Sequence, residues 1–99
     1  MVSQLRSQIE SIMLVVETPA TAEDLAGALS VPVSDVRGEL EAWAAELNDR
    51  GSGMDLRETV EGWRLYTRPA NAGVVEAFLL DGTQTKLSRA AMETLAVVA

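Results

Sequence analysis

The sequence predicts an α+β domain, mostly α, in which three helices precede a β-hairpin wing and a fourth helix. Three observations predict it. Apolar residues recur at helical spacing in three successive segments. Only Ser30-Val31-Pro32 separates the second segment from the third. After Gly53 the period of the pattern changes from near 3.6 to 2, with a turn pair between two alternating runs.

The first helix is expected from about Ser3 to Val16. Leu5, Ile9, Ile12, Met13 and Val16 form one stripe. Leu14 points almost opposite that stripe and Val15 lies well to one side, so the end of the helix is apolar nearly all round. Thr18-Pro19 stops it, because the residue before proline is pushed out of the α region. Thr21 reads as the N-cap of a second helix, with Asp24 three residues on and Leu25, Ala28 and Leu29 as its inner face. The third helix is expected over Val33 to Asn48, with Val36, Leu40, Trp43, Ala44 and Leu47 on one stripe. Gly38 weakens it, and Asn48-Asp49-Arg50-Gly51-Ser52-Gly53 terminates it.

The alternating runs Met54–Val60 and Trp63–Arg68 flank Glu61-Gly62 and predict the hairpin. That turn pairs Val60 with Trp63, Leu56 with Thr67 and Arg57 with Tyr66, and leaves Glu58 poorly matched to Leu65. Pro69 stops the second strand. A fourth helix opens at Ala70 or Asn71 and carries Val75, Phe78 and Leu79 toward Leu80. Residues 81–86 read as a linker, and Ser88 caps a last helical segment with Met92, Leu95 and Val98 on one face. A chain ending in the middle of that apolar segment reads as a fragment. This is the element order of a winged helix-turn-helix.

Charge then narrows the function. Fifteen acidic residues against eight basic ones leave a net charge of −7, with one lysine, Lys86, and seven scattered arginines. The third helix, which reads DNA in many domains of this order, carries Asp35, Glu39, Glu41 and Glu46 against Arg37 alone. Such a helix repels phosphates, so no direct sequence-specific DNA binding is expected. The fold is then expected to use its surfaces for protein partners.

With no His and no Cys, the usual base and thiol nucleophile are missing, and no glycine loop cradles a phosphate. No enzymatic activity, small-molecule substrate, cofactor or metal is expected. The longest apolar run, Ile12 to Val16, is far short of a membrane span, so no membrane contact is expected.

Two stretches carry a family resemblance. One is Gly53-Met54-Asp55-Leu56-Arg57-Glu58-Thr59 followed by Gly62-Trp63-Arg64-Leu65-Tyr66-Thr67-Arg68-Pro69. The other is Leu87-Ser88-Arg89-Ala90-Ala91-Met92-Glu93-Thr94-Leu95-Ala96. With Ile9 to Ala20 and the Leu25-Ala26 and Leu29 positions, they resemble the segregation and condensation protein B (ScpB) family of bacterial condensin-like complexes.

The resemblance implies two tandem winged-helix domains. The first covers residues 1–80, 81–86 is the linker, and 87–99 is the first helix of a truncated second domain. It also implies a cytoplasmic, nucleoid-associated, non-catalytic subunit that forms a homodimer and binds the kleisin ScpA, and through it an SMC ATPase. Much of the kleisin contact is expected in the second domain. Pro32 departs from the family pattern, which has a small polar cap there; Ser34 is then the expected cap and Asp35 the helix start. The competing reading is an acidic winged-helix transcriptional regulator touching DNA through its wing.

Candidate site residues follow from these patterns. Leu14 and Val15, with Glu10 and Ser11 beside them, form a dimer interface, unless the hairpin or fourth helix covers them. Trp63, at the base of the wing, is open to either a core or a contact role, while Trp43 belongs to the core stripe. Arg57, Arg64 and Arg68 are either a patch for a partner or solvated strand residues paired with neighbouring acids.

Overall fold

A computed structural model describes residues 2–83. Helix α1 spans Gln4–Val15, α2 Ala22–Leu29 and α3 Val33–Asp49. Strands β1, Met54–Thr59, and β2, Gly62–Thr67, form an antiparallel pair. A 3₁₀ turn, Pro69–Asn71, leads into α4, Ala72–Ala77, and a π-helical stretch, Phe78–Thr83. The first two helices begin at side-chain caps. The hydroxyl of Ser3 accepts from the Arg6 amide and that of Thr21 from the Asp24 amide, each at 3.0 Å. One donor left open by each first turn is thereby satisfied.

Ser30 closes α2 in the left-handed region, at φ 59°, and the Val31 amide reaches back to the Ala26 carbonyl at 3.1 Å. This is a Schellman closure built on a residue other than glycine. It makes the tight corner between α2 and α3. The expected cap at Ser34 is not used. Helix α3 starts at Val33, because Pro32, extended at φ −63° and ψ 144°, offers its carbonyl to the Asp35 and Val36 amides. Gly51, at φ 62°, ends α3, and the Ser52 amide donates to Leu47.

The chain divides into two units, Met1–Thr67 and Arg68–Ala99. The first has one core. Ile9 and Met13 of α1 meet Ala22, Leu25 and Ala26 of α2, Val36, Leu40, Trp43 and Leu47 of α3, and Leu56 and Trp63 of the hairpin. In the second unit, the described residues form one continuous helical run from Pro69, on which Val74, Phe78, Leu79 and Leu80 are exposed. The helix expected from residue 87 lies outside the described residues.

The hairpin register differs from the expected one by two residues. Leu56 faces Leu65, Glu58 faces Trp63, Arg57 faces Arg64 and Thr59 faces Gly62. The turn is therefore Val60-Glu61, and Gly62 belongs to the strand. The cause is a third strand-like segment. Ala20 pairs with Trp63 through N–H···O bonds of 2.9 and 2.7 Å. Its backbone passes so close to Gly62 that a Cβ there would lie 2.7 Å from the Ala20 carbonyl carbon. Gly62, at φ +133°, permits this approach. The shift of two preserves which side chains share a face and matches leucine with leucine.

Candidate interaction surface

Helix α1 can turn only one stripe toward α3 and the hairpin. Ile9 and Met13 fill that stripe, with Leu5, Ile12 and Val16 partly buried beside it. Leu14 and Val15 fall outside it and remain 76% and 72% exposed. The Ala20–Trp63 bridge then draws the chain after α1 along β2. An apolar groove of about 300 Å³ results, with Met13, Leu14 and Val16 on one side and Met54, Leu65 and Tyr66 on the other. The hairpin thus borders Leu14 without covering it. An exposed apolar ridge beside an apolar groove is the form of a protein-contact surface.

The rim of the groove is cationic. Arg64 lines it, and Arg57 stands directly opposite Arg64 across the strands. Like charges so placed repel. Two contacts offset this. The Nε of Arg57 donates to the Asp55 carboxylate at 2.7 Å, and the Tyr66 ring lies 5.8 Å from the Arg57 guanidinium and 6.0 Å from that of Arg64.

The candidate residues therefore separate. Leu14, Val15, Ser11 and Glu10 share the outer side of α1. The Ser11 hydroxyl donates to the Ser7 carbonyl at 3.1 Å, and Glu10 is half-buried. Arg64 meets Leu14 at the groove, with Arg57 next to it. Trp63 does not belong to the surface. At 5% exposure it is a core residue, because the Ala20 strand and β1 enclose it, and this corrects its candidacy as a contact. Arg68 lies in the second unit.

Sequence reasoning missed Arg6. It is 5% exposed, and its Nε donates to Glu39 at 2.8 Å while Nη1 and Nη2 reach both Glu46 oxygens at 2.8 and 3.2 Å. The hydrogen bond from Arg6 holds the Glu46 carboxyl below its ordinary range, and the same contact raises Arg6. Two of the acids on α3 thus serve to fix α1 in place. Its other acids, Asp35, Glu41 and Asp49, are exposed. The Arg37 guanidinium lies within 3.3 Å of Glu23 and 3.4 Å of Glu58. Among the described residues no group of three or more His, Cys, Asp or Glu side chains could hold a metal ion, and no helix is long and apolar enough to cross a membrane.

Comparison with known proteins places this surface in context. The family model for "Segregation and condensation complex subunit ScpB" matches residues 7–99. A segregation and condensation protein B of Desulforamulus reducens is 34% identical over 96 residues, covering 97% of this chain and 52% of the relative. The chain spans about half the length of the curated relatives it matches. The crystal structure of ScpB from Mycobacterium tuberculosis is 51% identical with a TM-score of 0.80, covering 100% of this chain and 63% of that one. A crystal structure of a dimer of the ScpB N-terminal domain complexed with ScpA peptide has a TM-score of 0.68. It is 15% identical and covers 74% of this chain and 91% of that one, a likeness of fold.

Proposed function

The chain belongs to the ScpB family of segregation and condensation complex subunits, and we propose that it is a non-catalytic subunit of a bacterial SMC–kleisin complex. It forms a homodimer and binds the kleisin ScpA, and through ScpA it acts on chromosome condensation and segregation in the cytoplasm, at the nucleoid. The proposal includes the organisation expected from the sequence, with residues from 87 opening a second winged-helix domain.

One observation carries the reading: Leu14 and Val15 project from α1 beside an apolar groove that the rest of the first unit borders and does not fill. A chain of net charge −7 that exposes such a ridge gains by covering it with protein. The related ScpB N-terminal domain, crystallised as a dimer with ScpA peptide, supports the same partners here. The acids of α3 point away from DNA as the ligand.

The test is molar mass by light scattering behind size exclusion, over a range of concentrations. The expected result is a dimer that Leu14→Glu converts to monomer with helical circular dichroism unchanged. A monomer at every concentration overturns self-association. Titration with ScpA tests the second partner, and absence of heat or mass change overturns it.

A further inference from the structure

We propose that Arg64, at the rim of the α1–β2 groove, forms an ion pair with Glu10 of a second copy of this chain, so that two such pairs flank an apolar contact centred on Leu14. The inference rests on the reading of α1 as the self-association face.

Arg64 and Glu10 are left over by the fold. Arg6, Arg37 and Arg57 each lie within 4 Å of a carboxylate. The carboxylate of Asp55, on the strand beside Arg64, receives Arg57 at 2.7 Å. Among the described residues Arg64 has the Tyr66 ring at 6.0 Å and the like charge of Arg57 across the strands, and no ion pair. Glu10 is half-buried on α1 and also has no ion pair among the described residues. A strongly acidic chain that meets a second copy of itself repels it. An association face on such a chain needs its cations opposite its acids.

Symmetry brings these two residues together. With the twofold axis perpendicular to α1 at Leu14, the two helices run antiparallel, and every contact across the axis occurs twice. Glu10 precedes Leu14 by four residues, so in the second copy it lies about 6 Å along the helix axis beyond the first copy's Leu14. It thus reaches the C-terminal end of the first α1. That is the end at which β2 holds Arg64, beside Leu14 and Val16. Apolar residues then occupy the centre and charges the rim.

The experiment is trans-complementation in the full chain. Arg64→Glu and Glu10→Arg each set like charges against each other twice, and each variant alone is expected to weaken the dimer about tenfold at low salt. Mixing the two variants pairs opposite charges again across both contacts. The mixture is therefore expected to form a heterodimer of near wild-type affinity by light scattering, with circular dichroism confirming that both variants fold. An ion pair inside one chain cannot be restored by mixing, so a mixture that associates no more tightly than either variant alone overturns the proposal. Variants that dimerise as well as wild type also overturn it. If Leu14→Glu abolishes the dimer while the mixture fails, the Arg64–Glu10 pair falls and the self-association face stands. If Leu14→Glu leaves the dimer intact, the face itself falls.

Discussion

Arg6 of α1 and Glu46 of α3 form a two-pronged ion pair, Nη1 to Oε1 at 2.8 Å and Nη2 to Oε2 at 3.2 Å, with the arginine almost wholly buried. The guanidinium is planar and forked, so it can hold Glu46 through both prongs and Glu39 through Nε at once. Replacing Arg6 by Met removes these bonds while keeping the apolar stem. The expected cost is about 1–3 kcal/mol, the range for hydrogen bonds to charged groups. Arg6→Lys is expected to recover only part of it, because an ammonium cannot span both carboxylates. Urea denaturation of the three proteins checks the order.

The same pair sets a pH dependence. The Arg6 hydrogen bond lowers the Glu46 pKa in the folded chain. A lowered carboxyl pKa contributes stability that is present above its unfolded value and lost as pH falls through the folded one. Wild type is therefore expected to lose stability between about pH 5 and pH 3 more steeply than Arg6→Met. Parallel profiles of urea midpoint against pH would mean that other carboxyls dominate the acid limb. The raised pKa of Arg6 keeps it charged throughout this window.

Ser30 bears a strain that can be removed. Its φ of 59° lies where a Cβ crowds the backbone, at a cost of roughly 1–2 kcal/mol for most residues. The hydrogen bonds that close α2 are backbone bonds from Ser30 and Val31 to Ala26, so they survive substitution. Ser30→Gly is expected to raise stability by about 0.5–1 kcal/mol after the entropy of glycine is counted. Ser30→Val should lower it. Thermal melts of the two variants should bracket wild type, and the reverse order would show that the Ser30 side chain contributes more than its backbone strain costs.

Gly62 is less tolerant. A methyl group there meets the Ala20 backbone at 2.7, 2.8 and 3.0 Å, so the strand segment itself must move. Gly62→Ala is expected to cost about 3 kcal/mol or more, since it breaks the Ala20–Trp63 bridge as well as straining φ. Tryptophan fluorescence should report it directly, because Trp63 would gain access to water. A variant with unchanged emission and stability would mean that the bridge is not a fixed part of the fold.

These cases show which features the sequence makes legible. Helix faces follow from local geometry, and Ile9, Met13, Leu25, Val36, Leu40, Trp43 and Leu47 all lie in the core on their expected stripes. The apolar surplus at Leu14 and Val15 is equally visible. Whether the hairpin covers it depends on the Ala20–Trp63 bridge, a contact between segments more than forty residues apart. That bridge also explains the register error, because Gly62 reads locally as a turn residue and serves instead for close packing. Arg6 is hidden because charge normally marks a solvent face. A signal exists: Arg6 shares a stripe with Ile9 and Met13, and Glu39 and Glu46 lie two turns apart on the α3 face that includes Trp43.

The last expectation concerns DNA. On α3, Asp35, Glu41 and Asp49 are exposed, and Arg37 is drawn to Glu23 and Glu58. On the wing, Arg57 is held by Asp55, which leaves Arg64 to face a phosphate. One cation releases about one counterion, and non-specific binders draw on many. The chain is therefore expected to give no gel shift with duplex DNA at about 0.15 M salt. Asp35→Lys with Glu41→Lys should create weak binding that vanishes as salt rises, because the helix would then neutralise phosphates it now repels. A wild-type shift that weakens steeply with salt and disappears in Arg57→Ala with Arg64→Ala would instead assign the wing to DNA. The groove beside it would then have to accommodate a protein partner without the help of Arg64.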